Sequence, residues 1–135
     1  MRILALDWGT VRIGAAISDP EGKIAFALDE PILAKSAIVE IKKLVTEQDI
    51  EKILIGLPKS LAGSATPSSE AAQKFGQRID QETNCEIQYI DERLSSVAAI
   101  RTLNRQGVSA RDQRGQVDNI AAQALLQAFL DTKNN

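Results

Sequence analysis

The sequence predicts a single α/β domain, spanning residues 1–135, in which helices cover both faces of a mixed five-stranded sheet. The first part of the chain holds three apolar runs separated by short turns, a pattern typical of an antiparallel meander. Apolar runs then alternate with helical patterns, which indicates parallel pairing of the later strands. A chain of 135 residues is long enough for one compact core and short for two.

The meander is predicted from three short strands. The first runs from Arg2 to Asp7, and the second contains the apolar stretch Ile13–Ile17. A turn at 19–22, with the sequence DPEG, leads to a third run from Ile24 to Leu28. Turns of this length place consecutive strands side by side.

Helices and strands alternate in the rest of the chain. Ser36 is the predicted N-cap of a helix that ends near Gln48. Thr66 followed by Pro67 predicts a second helix, because proline is favoured at the first helical position. The other predicted elements are the strands Lys52–Leu57 and Glu86–Ile90, a helix that begins at Ser95 or Ser96 and carries Val97, Ile100 and Leu103, and a final helix of about Val117–Asp131.

The amino-acid composition excludes several kinds of chemistry. The chain contains no histidine, so a histidine general base, a Ser-His-Asp triad and a histidine metal ligand are all excluded. Acid–base and metal chemistry must therefore use carboxylates or the few other polar groups. Sites made of carboxylates alone suit hard cations such as magnesium and manganese.

Charge and cysteine content indicate the cellular setting. The net charge of −2 weighs mildly against a nucleic-acid binder, although binding follows local rather than total charge. With Cys85 as the single cysteine, no disulfide forms within the chain, which suits the reducing cytosol. No apolar run approaches the roughly 20 residues of a membrane helix, and the N-terminus lacks the pattern of a signal peptide. We expect a cytoplasmic protein without membrane association.

Asp7 is the first candidate site residue. Side chains alternate between the two faces of a strand, so Ile3, Ala5 and Asp7 share one face. Its carboxylate lies at the carboxyl end of the strand, where open α/β sheets usually bind ligands. The alternative is that Asp7 only stabilises the turn before Gly9 through local hydrogen bonds.

Asp91 and Glu92 are the second candidates, at the end of a later strand. Asp91 shares a face with Ile87 and Tyr89, whereas Glu92 falls on the opposite face. Only one of these two acids should therefore point in the same direction as Asp7, and the sequence leaves the choice open. A solvated charge pair with Arg93 is the alternative for either acid.

Asp118 is the third candidate, near the start of the final helix. Positions three, four and seven residues further along, which share its helix face, are Ala121, Ala122 and Leu125. The acid therefore begins an apolar stripe that should pack on the sheet, where a carboxylate is costly unless it is paired, protonated or bound to metal. A favourable interaction with the helix dipole explains an acid near the helix start but not its place on the buried side.

Acids from two strand ends and one helix start can meet at one point. Carboxylates that converge repel one another, and a divalent cation relieves this repulsion. A cation held in this way can bind phosphate oxygens and activate water, which allows phosphodiester hydrolysis without histidine. We therefore expect Asp7, Asp118 and Asp91 or Glu92 to be metal ligands and catalytic residues, with magnesium or manganese as the cofactor.

Basic residues are the candidates for nucleic-acid binding. Guanidinium groups suit phosphate recognition because they donate two parallel hydrogen bonds. The alternative is that these exposed side chains are simply solvated. The candidates are Arg101, Arg105, Arg111 and Arg114 in one late segment, together with Arg12, Lys59 and Arg93 near the acids.

Four blocks of the sequence resemble those of the YqgF family, also called RuvX-like. They appear in the family's order and together cover nearly the whole chain. Each block is weak alone, and their combination is specific. The blocks are LDWGTVRIG at 6–14, IGLP at 55–58 followed by Gly63, DERLSS at 91–96 and VDNIAA at 117–122.

The resemblance implies an RNase H-like fold and a metal-dependent nuclease site. The family's acids map to Asp7, to Asp91 or Glu92, and to Asp118. The family is associated with maturation of the 5′ end of 16S ribosomal RNA, so precursor ribosomal RNA is the expected substrate and ribosome biogenesis the expected process. It is also associated, through similarity to Holliday-junction resolvases, with branched DNA. Trp8 and the pair Ser95-Ser96 depart from the family's usual residues without removing an acid.

Two other classes of protein share features of this sequence. Actin-like ATPases and sugar kinases also open with an Asp-x-Gly-Thr motif, but they need two related domains around the nucleotide, which 135 residues cannot supply. A noncatalytic RNA-binding module for ribosome assembly would keep the fold without needing the acids. We expect a monomer or a weak homodimer, because the apolar stripes already have a sheet to cover.

Overall fold

The structure is a computed structural model that describes residues 2–9, 11–57, 67–92 and 114–133. For residues 67, 68 and 114–118 it describes the backbone alone. The predicted helix near 95–103 and seven of the candidate residues therefore lie wholly or partly outside the described residues. Lys59, Arg93, Arg101, Arg105 and Arg111 lie outside them entirely, and Arg114 and Asp118 are described by their backbone only.

The described chain forms a mixed sheet with helices on both faces, as predicted. The strands are β1 (Arg2–Asp7), β2 (Arg12–Ser18), β3 (Ala25–Ala27), β4 (Ile32–Leu33), β5 (Ile50–Leu57) and β6 (Glu86–Asp91). The helices are α1 (Ala37–Gln48), preceded by a short 3-10 turn at Ala34–Ser36, α2 (Pro67–Glu82) and α3 (Arg114–Lys133). None of these helices is both long enough and apolar enough to cross a lipid bilayer.

The strand order is β3-β2-β1-β5-β6, with β1 in the middle. β1 pairs antiparallel with β2 and parallel with β5, and β6 extends the parallel half. The antiparallel meander followed by parallel strands is therefore confirmed. β4 is an addition to the five predicted strands: it pairs with the start of β2, and its two residues are too few to give a periodic signal.

Two apolar layers hold the helices against the sheet. Leu4 and Leu6 of β1 belong to the layer under α1 and α2, whereas Ile3 and Ala5 belong to the layer under α3. The alternation follows from the two-residue period of a strand. Asp7 continues the alternation of Ile3 and Ala5, so its side chain lies on the α3 face of the sheet.

Small side chains bring α3 close to the sheet. Ala5 and Ala16 of the strands meet Ala122 of the helix in the layer beneath α3. All three are fully buried, and alanine at such positions lets a helix backbone approach the strands. The backbone of α3 therefore lies close to β1.

Candidate active site

Asp7 is buried at the end of the central strand. The residue is 3% exposed, and its Oδ1 oxygen is shielded from solvent. Its neighbour across the parallel pair is Gly56 of β5, and its neighbour across the antiparallel pair is Gly14 of β2. Two glycines without side chains thus flank this carboxylate on the adjacent strands.

Gly9 shapes the turn that follows β1. A Cβ atom at this position would collide with the carbonyl oxygen of Arg12, so only glycine fits where the chain folds back to begin β2. Arg12 is half-buried and pairs with Leu33 of β4. The turn therefore brings this predicted nucleic-acid contact back to the end of the sheet that carries Asp7.

Trp8, the single tryptophan of the chain, directly follows Asp7 at the end of β1. It is half-buried and packs against the apolar layer under α1 and α2. Its side chain therefore lies on the opposite face of the sheet from the carboxylate of Asp7.

Glu92, and not Asp91, lies on the same face as Asp7. A Cβ atom at Gly56 would lie 3.1 Å from Oε1 of Glu92 and 2.9 Å from Cδ2 of Leu125 in α3. The Glu92 carboxylate therefore lies over Gly56, directly under α3. Since Gly56 and Asp7 are partners on adjacent strands, which are about 4.8 Å apart, both carboxylates occupy the same small region.

Asp91 belongs to the other face of β6. Its register partner is Leu57, and it alternates with Ile87 and Tyr89, which pack on the side of α1 and α2. Tyr89 confirms the direction of this face, because its hydroxyl donates to the carbonyl of Gln73 in α2 at 3.1 Å. The geometry thus separates the two acids that the alternation of strand residues leaves equivalent.

Burial changes the chemistry of Glu92. The residue is 9% exposed, and desolvation, with a further contribution from the negative charge of Asp91, raises its pKa to about 7. A glutamate exposed to water has a pKa well below this value, so it is already ionised at neutral pH. Near neutral pH, the Glu92 carboxyl group therefore carries a proton in a large fraction of molecules.

The backbone of α3 places position 118 at the same end of the sheet. Ala121, Ala122 and Leu125, which share its helix face, are all buried against the strands. Leu125 lies close to Gly56, as the Cβ distance above shows. Position 118 begins this helix face, and the sequence-based prediction that its carboxylate joins the site remains a prediction.

The two described carboxylates fit a hard divalent cation. Both are buried and provide oxygen donors only, which magnesium and manganese prefer. Among residues with described side chains, no three Asp, Glu or Cys residues form a group that could hold a metal ion. The predicted third ligand, Asp118, falls outside that comparison because only its backbone is described.

Two residues of this region have roles that the sequence pattern does not predict. Gly56 makes room for Glu92 through a contact between distant segments of the chain. Asn119, beside Asp118, is 1% exposed at the edge of an apolar stripe, which is unusual for a polar residue. Amides at 119, 123 and 127, four residues apart, were the signal that could have revealed it.

The sequence profile of the RuvX family, described as a Holliday junction resolvase, matches residues 1–132. The chain belongs to the RuvX family. The resemblance seen in the four sequence blocks is therefore confirmed.

Relatives in this family match nearly the full length of the chain. A Clostridium beijerinckii protein named "Putative pre-16S rRNA nuclease" is 41% identical over 133 residues, which cover 97% of this chain and 96% of the relative. A Bacillus thuringiensis protein of the same name is 38% identical over 137 residues, which cover 98% of this chain and 100% of the relative.

Solved structures confirm the predicted RNase H-like fold. RuvC from Thermus thermophilus aligns with a TM-score of 0.59 at 15% identity, covering 99% of this chain and 97% of RuvC. The fowlpox virus Holliday junction resolvase aligns with a TM-score of 0.54 at 15% identity, covering 100% of both chains. At this level of identity, the likeness concerns the fold alone.

Replacing Gly56 with alanine should reveal its contact with Glu92. The added methyl group forces Glu92 or Leu125 to move, so we expect Gly56→Ala to lower the free energy of unfolding by about 1–3 kcal/mol. The cost should be smaller in a Glu92→Ala background, because one of the two obstructing side chains is gone. A double-mutant cycle with urea unfolding measures this coupling.

Asp91→Ala is the matched control for that cycle. Because Asp91 lies on the opposite face, the cost of Gly56→Ala should be the same with or without it. Additive effects of Gly56→Ala and Glu92→Ala would contradict the packing of Glu92 over Gly56.

The raised pKa of Glu92 predicts a specific pH dependence of stability. The folded protein binds this proton more tightly than the unfolded chain, so stability is greatest below the ordinary pKa of 4.5 and falls as pH rises towards about 7. Glu92→Gln should remove this loss and stabilise the metal-free protein at pH 8 by up to about 3 kcal/mol.

Urea unfolding at pH 5 and pH 8, with a chelator present, measures this effect. Glu47→Gln, the same change at an exposed residue, is the control for the substitution itself. If Glu92→Gln retains the full pH dependence of the native protein, the burial of an ionisable Glu92 is wrong.

Proposed function

We propose that this chain is a metal-dependent nuclease whose substrate is the 5′ end of precursor 16S ribosomal RNA. The observation that carries the proposal is the burial of Asp7 and Glu92 on one face of the sheet, on either side of Gly56. The names of the family and of its relatives support a nuclease, a hydrolase of phosphodiester bonds.

Asp7, Glu92 and Asp118 are the residues that would hold the cation. Asp7 ends β1 and Glu92 directly follows β6, so the two lie on either side of β5, and Asp118 comes from the helix above them. Oxygen-only donors favour magnesium or manganese. Asp91 would act only through its charge on Glu92, because it lies on the other face.

The roles of the residues follow from where each is held. A bound divalent cation would supply Lewis-acid activation of water and neutralise charge on the scissile phosphate. Asp7 is held at the end of the central strand, so its carboxylate would bind the metal from a fixed position. Glu92 lies in a poorly hydrated site under α3, where electrostatic interactions are stronger than in water.

Basic residues would position the nucleic acid around this centre. Arg12 is brought to the correct end of the sheet by the turn at Gly9. The other proposed contacts are Lys59, Arg93, Arg101, Arg105, Arg111 and Arg114. Arg114 begins α3, the helix that carries Asp118. With a ribosomal RNA precursor as substrate, the protein would act in the cytoplasm, as a monomer or weak homodimer.

Branched DNA is the second candidate substrate. The family description names a Holliday junction resolvase, and the fowlpox virus protein that shares this fold is also named a Holliday junction resolvase. Symmetric cutting of a four-way junction needs two active sites. A resolvase activity would therefore require the chain to dimerise.

The substrate can be tested with the purified protein. We expect cleavage of a 16S precursor RNA with a 5′ extension in magnesium or manganese, with no cleavage in chelator and none by Asp7→Asn. A four-way DNA junction is assayed in parallel under the same conditions. Cleavage of the junction alone would favour the resolvase, and a folded protein that binds the RNA but cuts neither substrate would favour the noncatalytic module.

The two neighbouring acids can be separated by the same assay. Glu92→Gln should lower turnover by more than about a hundredfold, the upper end of losses at residues that merely support metal ligands. Asp91→Asn, a matched change on the opposite face, should lower turnover by less than Glu92→Gln does. The reverse order would show that Asp91 is the ligand and would contradict the assignment of Glu92.

A further inference from the structure

Side-chain amides on α3 bind the backbone of the antiparallel half of the sheet. Asn119, Gln123 and Gln127 lie four residues apart and share one helix face. Gln123 Nε2 donates to the carbonyl of Ala25 at 2.9 Å, and Gln127 Oε1 accepts from the N–H of Ala25 at 2.9 Å. A further bond, from Gln127 Nε2 to the carbonyl of Lys23, is 3.0 Å long. Gln123 and Gln127 thus cover the outer edge of β3.

Asn119 makes a different contact, because its amide is inserted between two strands. The register of β2 and β3, with Ala16 opposite Ala27, continues to Ala15 opposite Leu28. The N–H of Leu28 donates to the carbonyl of Ala15 at 3.0 Å. In an antiparallel ladder such a pair normally exchanges a second hydrogen bond in the opposite direction.

The amide of Asn119 replaces that second hydrogen bond. The N–H of Ala15 donates to Oδ1 of Asn119 at 2.9 Å, and Nδ2 of Asn119 donates to the carbonyl of Leu28 at 2.7 Å. Both ends of the amide are therefore held by backbone groups, and the residue is 1% exposed. A buried amide bound at both ends can neither rotate nor slide without losing hydrogen bonds.

This contact lies close to two of the proposed metal ligands. Ala15 pairs with Leu6, which directly precedes Asp7 in β1. Asn119 directly follows Asp118 in α3. These hydrogen bonds therefore join α3 to the sheet at the residue next to Asp118. On the sheet side, they are made by Ala15, which pairs with Leu6, the residue next to Asp7.

We propose that Asn119 is a positioning residue, which sets the height and rotation of α3 so that Asp118 meets Asp7 and Glu92. This inference rests on the proposed metal-dependent function. The apolar contacts of Ala121 and Leu125 hold α3 on the sheet, but apolar burial is non-directional and does not select one height. Hydrogen bonds to fixed backbone atoms do select it. Metal ligands need such precision, because misplacement by about 1 Å weakens a site.

The test compares Asn119→Ala with Gln123→Ala. Each variant removes one amide from the same face of α3, but only Asn119 stands beside Asp118. In Asn119→Ala, the N–H of Ala15 and the carbonyl of Leu28 can bond to each other directly, so strand pairing is retained while α3 loses its anchor. Manganese is titrated into each protein by calorimetry without nucleic acid, and unfolding in urea is measured separately.

We expect Asn119→Ala to weaken manganese binding by about tenfold or more, the loss typical of residues that support metal ligands. The manganese concentration for half-maximal cleavage should rise by a similar factor, with turnover recovering at saturating manganese. Gln123→Ala should weaken manganese binding by less than roughly tenfold. A residue needed only for stability would not produce this difference.

A folded Asn119→Ala protein that binds manganese as tightly as the native protein would overturn the positioning role. If Asn119→Ala does not fold, Asn119→Ser is measured by the same criteria, because its hydroxyl group can still donate and accept. Failure of the proposed function has a different signature: the native protein would bind no manganese, or Asp7→Asn would bind it equally well. That result would overturn both proposals.

Discussion

Asp7 places a carboxyl group beneath α3, at the carboxyl end of the central strand, in a residue that is only 3% exposed. A charged carboxylate in such a place costs free energy unless positive charge or hydrogen-bond donors offset the loss of hydration. Glu92 is a second buried carboxyl group on the same face, and desolvation raises its pKa to about 7. A divalent cation held between the two groups, as we propose, would be attracted to both carboxylates.

The packing of α3 makes the arrangement sterically feasible. Alanine side chains on both the strands and the helix let α3 lie close to the sheet, and Gly56 leaves the space that the side chain of Glu92 occupies. The amides of Asn119, Gln123 and Gln127 then fix where along the strands the helix lies. Apolar packing therefore provides the contact, and directional hydrogen bonds provide the alignment that a metal site needs.

Local sequence signals predicted the order of elements because those signals act over a few residues. α2 begins at Pro67, as predicted, since the missing N–H of proline fits the first turn. The two residues of β4 carried no periodic signal, and the choice between Asp91 and Glu92 depended on how β6 pairs with β5. The hydrogen bond from Ala15 to Asn119 joins residues 104 positions apart, so no local pattern could reveal it.

The most direct test of the account is a crystal structure of the protein grown with manganese, with anomalous scattering used to locate the metal. The account predicts a manganese ion on the α3 face of the sheet, bonded to carboxylate oxygens of Asp7, Glu92 and Asp118. An ion bound through Asp91 on the opposite face would contradict the account. So would well-ordered carboxylates at Asp7 and Glu92 with no metal between them at saturating manganese.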